Sequence, residues 1–257
     1  MGLFDKLKTN TEKKNSFELT YEQANSISKS ILSKLECKYR IFSSDVDYEY
    51  VMNAYEETFE QGKREGFTPL LVPADRTLSK YISVLEKDYY SLEDVLSSEV
   101  QSGEEVLKAR YDEFTREDVS FDVDEFIGEF DYEPIVIRNY TAFRECEVLL
   151  LYIPTTKPWE LVAYVPFGGW NECPDVEDMM AICKYWYEKY GAVPVTISHD
   201  VMEMSVPEPV AKEESLQLAK EHFAFTPDRV YQCTATGTLS EVADSLTVSK
   251  IWYFWWD

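Results

Sequence analysis

The chain has 257 residues, 45% of them hydrophobic, and a formal net charge of −23 from 48 acidic and 25 basic side chains. That apolar content excludes an intrinsically disordered chain. The charge repels phosphate backbones and so argues against a nucleic-acid partner. With no apolar run near the ~18 residues that span a bilayer, a cytoplasmic protein of one or two domains is expected, with no membrane partner.

The opening MGLFDKLKTNTEKKN offers only Leu3, Phe4 and Leu7 as apolar residues, and Lys6 breaks a myristoylation pattern. It is neither a secretory signal nor a lipidation motif, and residues 1–16 are expected as a flexible leader. Next, YEQANSISKSILSKLE repeats Ala24, Ile27, Ile31 and Leu35 at helical spacing, with Thr20 as the expected N-cap. DYEYVMNAYEETFEQG does the same through Tyr48, Val51, Tyr55 and Phe59, closed by Gly62 and Gly66 before the strand-like FTPLLV. The first half thus reads as helix, loop, helix, strand.

From Glu86 to Glu133 there are 17 acidic residues against 4 basic ones, a net of −13. Such a run is a solvated face, or a surface meant for a basic partner. All six tryptophans and both histidines lie after residue 155. This shift in composition divides the chain into an N-terminal α/β region, 17–133, containing the acidic segment 86–133, and a C-terminal domain, 134–257.

In the second half EVLLLYIP reads as a buried strand and PWELVAY as a short helix opened by Pro158. VEDMMAICKYWYEKYG sets Val176, Met179, Met180, Cys183, Trp186 and Tyr190 on one helical stripe stopped by Gly191, before AVPVTISHD. GFTPLLVPAD and GAVPVTISHD share their Gly, Pro and Asp positions, a faint echo between the halves. MEMSV alternates as a strand. PVAKEESLQLAKEHFAF reads as a helix with Ala211, Leu218, Ala219 and His222 on one side, and TLSEVADSL as a helix capped by Thr238 or Ser240. The expected fold is α+β, with amphipathic helices packed on a mixed β-sheet. KIWYFWWD, with five aromatic residues at 252–256, is expected as a strand buried in that sheet.

Cys37, Cys146, Cys173, Cys183 and Cys233 are odd in number and widely spaced, which argues against disulfides and thiolate zinc. His199, Asp200, Glu203, Glu221 and His222 are the catalytic candidates: if their strand and helix pack together, they could run acid–base chemistry. Their spacing matches no metal motif, and no metal or cofactor is expected. Cys173 is a candidate nucleophile only if a histidine lies beside it. The loop FGGWNECPD offers Trp170, Asn171 and Glu172, with Asp228 of EHFAFTPD, as ligand-binding candidates, but it lacks a phosphate-loop or dinucleotide fingerprint.

PFGGWNECP, WYEKYGAVPVTISHD, AKEHFAFTPD and the closing WYFWWD occur together and in order. Over roughly the last 110 residues this resembles the bacterial family catalogued as domain of unknown function 4253. Thr226 stands where the family has Cys, and Cys233 where it has Gly after Gln232. The resemblance implies a compact C-terminal domain ending in the tryptophan-rich strand, with Trp170, Asn171, Asp200, Glu221, His222, Asp228 and Trp255 as motif positions. It implies no activity. The leading expectation is a non-enzymatic interaction protein whose acidic surface meets a basic protein, an immunity or accessory role being one form of it. The alternatives are a hydrolase or metal-dependent enzyme built on the His/carboxylate set, and a small-ligand domain around residues 167–175.

Overall fold

The computed structural model describes residues 17–85, 90–99, 101–117, 127, 137–140 and 145–257. The expected leader and most of the acidic segment beyond residue 117 lie outside them. The chain divides into two compact units, Met1–Tyr89 with Phe143–Thr156, and Tyr90–Ala142 with Lys157–Asp257.

In the first unit the strands are β1 (Glu18–Leu19), β2 (Lys38–Phe42), β3 (Thr68–Pro73) and β4 (Val148–Ile153), and the helices α1 (Ser26–Leu32), α2 (Tyr48–Glu65) and α3 (Arg76–Leu85). The strand order is β1-β2-β4-β3, each pairing antiparallel. Every residue of β3 is buried, so its apolar run has cover on both faces. Two expectations are corrected. Residues 38–42 form a strand rather than a loop, pairing Lys38 with Tyr152 through Phe42 with Val148. The N-cap of α1 is Asn25, not Thr20: Asn25 Oδ1 accepts from the amides of Ile27 (2.8 Å) and Ser28 (2.9 Å). Glu147 accepts from the Asn25 amide and from Ser28 Oγ, adding an acid where the helix dipole favours one. Thr20 instead closes the preceding turn, its carbonyl accepting from Gln23 and Ala24.

The second unit contains α4 (Leu92–Ser97), α5 (Gly103–Glu117), a 3₁₀ turn at Pro158–Glu160, α6 (Leu161–Tyr164), α7 (Val176–Tyr190), α8 (Lys212–Phe225), α9 (Asp228–Tyr231) and α10 (Leu239–Leu246). Its strands β5 (Val193–Ile197), β6 (Val201–Ser205) and β7 (Ile251–Trp255) pair antiparallel in that order, with a register shift between Pro194 and Thr196. Helix α8 packs on α5 and α10, and α5 on α7. The fold is α+β, as expected.

The echo between the halves holds at the level of elements. Helix α2 ends at Gly66 (φ +82°) and α7 at Gly191 (φ +69°), and each passes into a strand. A left-handed residue after the last turn lets the chain reverse without a Cβ penalty. The aspartates that follow differ. Asp75 Oδ1 accepts from the Leu78 amide and opens α3, whereas Asp200 sits in the turn between β5 and β6.

Strand β7 forms part of the core. Trp252, Phe254 and Trp256 are buried, and Tyr253 and Trp255 are half-buried. Trp186 stacks on Phe254 (5.4 Å, 7° between planes), and Phe225 meets both Phe254 (4.9 Å) and Trp256 (5.1 Å) edge-on. Such offset and edge contacts are the preferred ring geometries.

Candidate functional site

The polar candidates gather around β7, but on two different faces. In the β6–β7 register, Met202 opposes Phe254 and Met204 opposes Trp252, while Val201 opposes Trp255 and Glu203 opposes Tyr253. Because side chains alternate, Trp252 and Phe254 look one way, Tyr253 and Trp255 the other.

His222 lies on the first face. Its ring is 4.7 Å from Phe254, 4.9 Å from Trp252 and 5.3 Å from Trp186. It is fully buried, and among the described residues neither ring nitrogen has a hydrogen-bond partner. Burial, with the Arg229 charge adding to it, holds its pKa well below the ordinary histidine value. A neutral imidazole walled in by indoles cannot reach a substrate. Its neighbour Glu221 is also committed: Oε2 accepts from Trp186 Nε1 (3.0 Å), Oε1 from Tyr185 (3.1 Å), and Lys189 stands 3.6 Å away. Beside Glu221, between α5 and α8, a cleft of about 300 Å³ is lined by Glu104, Lys108, Tyr111 and Lys220 among others.

Asp200 belongs to the other face. Its Oδ2 accepts from Trp255 Nε1 (2.9 Å), its Oδ1 from Ser198 Oγ (3.1 Å), and its carbonyl from the Trp256 amide (3.0 Å). His199 Nε2 is 3.4 Å from Asp200 Oδ2. Glu203 is buried at the middle of β6, opposite Tyr253. The structure therefore unites His199 with Asp200 and keeps both away from the ring cage of His222. Asp200 shares no hydrogen bond with Glu221 or His222.

The loop at 167–175 clasps the end of the strand. Gly168 has φ +113°, and a Cβ there would come within 2.1 Å of the Pro174 carbonyl oxygen, so only glycine fits the turn. Gly169 donates to that same carbonyl at 2.9 Å. The turn brings Asn171, itself left-handed at φ +48°, to donate from its amide to the Asp257 carbonyl. Asp228 Oδ2 accepts from the Asp257 amide (3.0 Å), and Thr226 Oγ1 donates to the Trp255 carbonyl (2.8 Å). Thr226 is thus part of the clasp. Trp170 is half-buried at 6.5 Å from Phe167, which in turn packs on Trp256 (5.3 Å). Glu172 is exposed, and its carbonyl accepts from Arg110.

Cys173 is buried, and burial raises its thiol pKa far above the ordinary range, outweighing the opposing pull of Arg110. It is a packed thiol, not an activated one. Among the described residues no group of three or more His, Cys, Asp or Glu is placed to hold a metal ion, and no helix is long and apolar enough to cross a membrane.

Two features were missed from sequence. One is a buried arginine, Arg229, lining a second cavity beside Tyr253 and Ser245. Its position directly after Asp228 in a motif was the only available signal. The other is the crowding of acids at the start of α7, where Asp175 is the N-cap and Glu177 and Asp178 fill the first turn.

What these contacts define is an α+β unit whose motif side chains hold its own last strand. Residues 149–257 match the model of a family described as a domain of unknown function, DUF4253. The match runs from within β4 to Asp257 and takes in every residue of the clasp. No curated protein and no solved structure matches the chain.

Proposed function

We propose that this is a non-enzymatic interaction protein whose acidic surface meets a basic protein partner. The observation that carries the reading is the crowding of carboxylates at the N-terminal end of α7. The Asp178 carboxyl is raised above its ordinary value by partial burial, then by Asp175 and Glu177, and these together outweigh the neighbouring Arg110. Acids so placed repel one another, and a lysine- or arginine-rich partner relieves that repulsion when it docks. Arg110 offsets part of this repulsion, while its guanidinium donates to the carbonyls of Ala224 and Glu172. Asn171, Asp200 and Asp228, polar residues that an enzyme could use on substrate, are engaged with the end of β7, and this supports the non-enzymatic reading.

The test is binding of a lysine- and arginine-rich peptide, measured by calorimetry from about 50 to about 300 mM NaCl, a range over which exposed charges become screened. The variant Asp175→Asn/Glu177→Gln/Asp178→Asn is compared with Glu56→Gln/Glu57→Gln/Glu60→Gln, which removes the same charge from exposed positions of α2. The expected result is a larger loss of affinity and a flatter salt slope for the α7 variant. Equal losses in the two variants would show general charge attraction and reject the site.

A further inference from the structure

Arg229 is the second residue of α9 and only 5% exposed. Its Nη1 donates to the Cys233 carbonyl at 3.4 Å and its Nη2 to Ser245 Oγ at 3.2 Å, while Nε has no partner. A guanidinium carries five N–H donors, so most of this one's capacity is unused. No ion pair is formed with it among the described residues. The acid whose charge reaches it, Glu241, spends its carboxylate elsewhere: it accepts from the amides of Ala235 (3.0 Å) and Thr236 (2.8 Å) and from Thr236 Oγ1 (2.6 Å). A buried charge with no acid in direct contact is a costly arrangement for a core to hold.

The same arginine lines a cavity of about 320 Å³, together with Ile137, Cys233, Glu241, Ser245 and Tyr253. The Tyr253 phenol makes no hydrogen bond among the described residues, and burial above all keeps it protonated far beyond neutral pH. It is a second free donor on the same space. The volume falls at the small end of ligand pockets.

We infer that this cavity binds a small organic monocarboxylate, its carboxylate on Arg229 and the Tyr253 hydroxyl, its apolar part against Ile137 and the tyrosine ring. A planar guanidinium matches a carboxylate with two parallel bonds, and the pairing supplies the direct ion pair that Glu241, bonded elsewhere, does not make. Phosphate is disfavoured, because Glu241 in the wall repels a second negative charge and, among the described residues, no other cation lines the cavity. The site is separate from the acidic end of α7 and does not depend on what binds there.

The experiment is a thermal-melt and calorimetric titration of the full chain with sodium acetate, sodium butyrate and sodium phosphate, ionic strength being held constant with NaCl. Butyrate is expected to give a saturable rise in Tm, acetate a weaker one, and phosphate none. Tyr253→Phe should weaken butyrate binding about tenfold, as expected for one hydrogen bond to a charged group. Tyr231→Phe, at an exposed position, should leave it unchanged. Arg229→Met should give a folded protein with no response to butyrate. No saturable shift with either carboxylate, an equal shift with phosphate, or undiminished binding by Tyr253→Phe would each overturn the assignment. If Arg229→Met does not fold, the wild-type titration and Tyr253→Phe decide between the outcomes.

Discussion

At the scale of single residues, His222 and Glu221 are neighbours in sequence with opposite electrostatic situations. His222 is neutral because its burial, with the Arg229 charge adding to it, disfavours the protonated ring. Its folded pKa lies well below the ordinary 6.5, so below that pH the unfolded chain takes up a proton that the native chain refuses. Stability is therefore fully present above about pH 6.5 and falls as the pH drops below it, by about 1.4 kcal/mol per unit for this one group. His222→Phe, a ring of similar size among rings, should remove that slope. Between pH 7.5 and 5.0 the wild type should lose more stability than the variant in urea melts, and parallel curves would contradict the burial. Glu221 is held by donors, the buried Trp186 indole above all. Glu221→Ala leaves that N–H unpaired and should cost about 1–3 kcal/mol, with Glu221→Gln, which retains an acceptor, costing less.

At the scale of elements, the clasp on β7 joins two kinds of contact that mutation should separate. The hydrogen bonds from Asn171, Thr226 and Asp228 fix residues 255–257 near the surface, while Trp256 is 1% exposed and packed on Phe167 and Phe225. Asp228→Ala should speed hydrogen exchange at the Asp257 amide while changing global stability by under about 1 kcal/mol. Trp256→Ala should cost about 3–5 kcal/mol in denaturant melts. Equal effects from the two would mean that the strand end is not layered in this way. The elements most legible in sequence were those with a local signal: the stripe of α7, the stripe of α2, and the apolar runs of β3 and β4. Strand β2 was hidden because Lys38, Tyr39 and Arg40 give it no apolar period, and its partner β4 begins more than 100 residues later. The start of α1 was misplaced for a similar reason. Thr20 and Asn25 are both good caps, and the choice falls to Asn25, whose amide binds Glu147 far along the chain. The motif side chains of the second half were visible, but their roles turn on which face of β7 each meets, and that depends on the register with β6. Arg229 gave no signal beyond its place directly after Asp228, since nothing local marks an arginine in a four-residue helix as buried.

At the scale of the whole molecule, a net charge of −23 acts on stability and on association with opposite signs. Self-repulsion among carboxylates opposes the compact state, and at about 0.1 M salt the screening length is about 10 Å, near the spacing of neighbouring surface charges. Adding NaCl from about 20 to about 300 mM at pH 7.5 should therefore raise the Tm of the free protein, while the same salt weakens its hold on a basic peptide. The α7 triple variant should blunt both responses, because the acids it removes are the ones whose mutual repulsion already raises the Asp178 carboxyl. The two measurements constrain each other. If the Tm were flat with salt while peptide binding stayed salt-sensitive, the carboxylates would be spaced widely enough to tolerate one another, and relief of crowding would not drive docking. If both were flat, the negative charge would serve solubility alone, and the partner would have to be sought by shape rather than by charge.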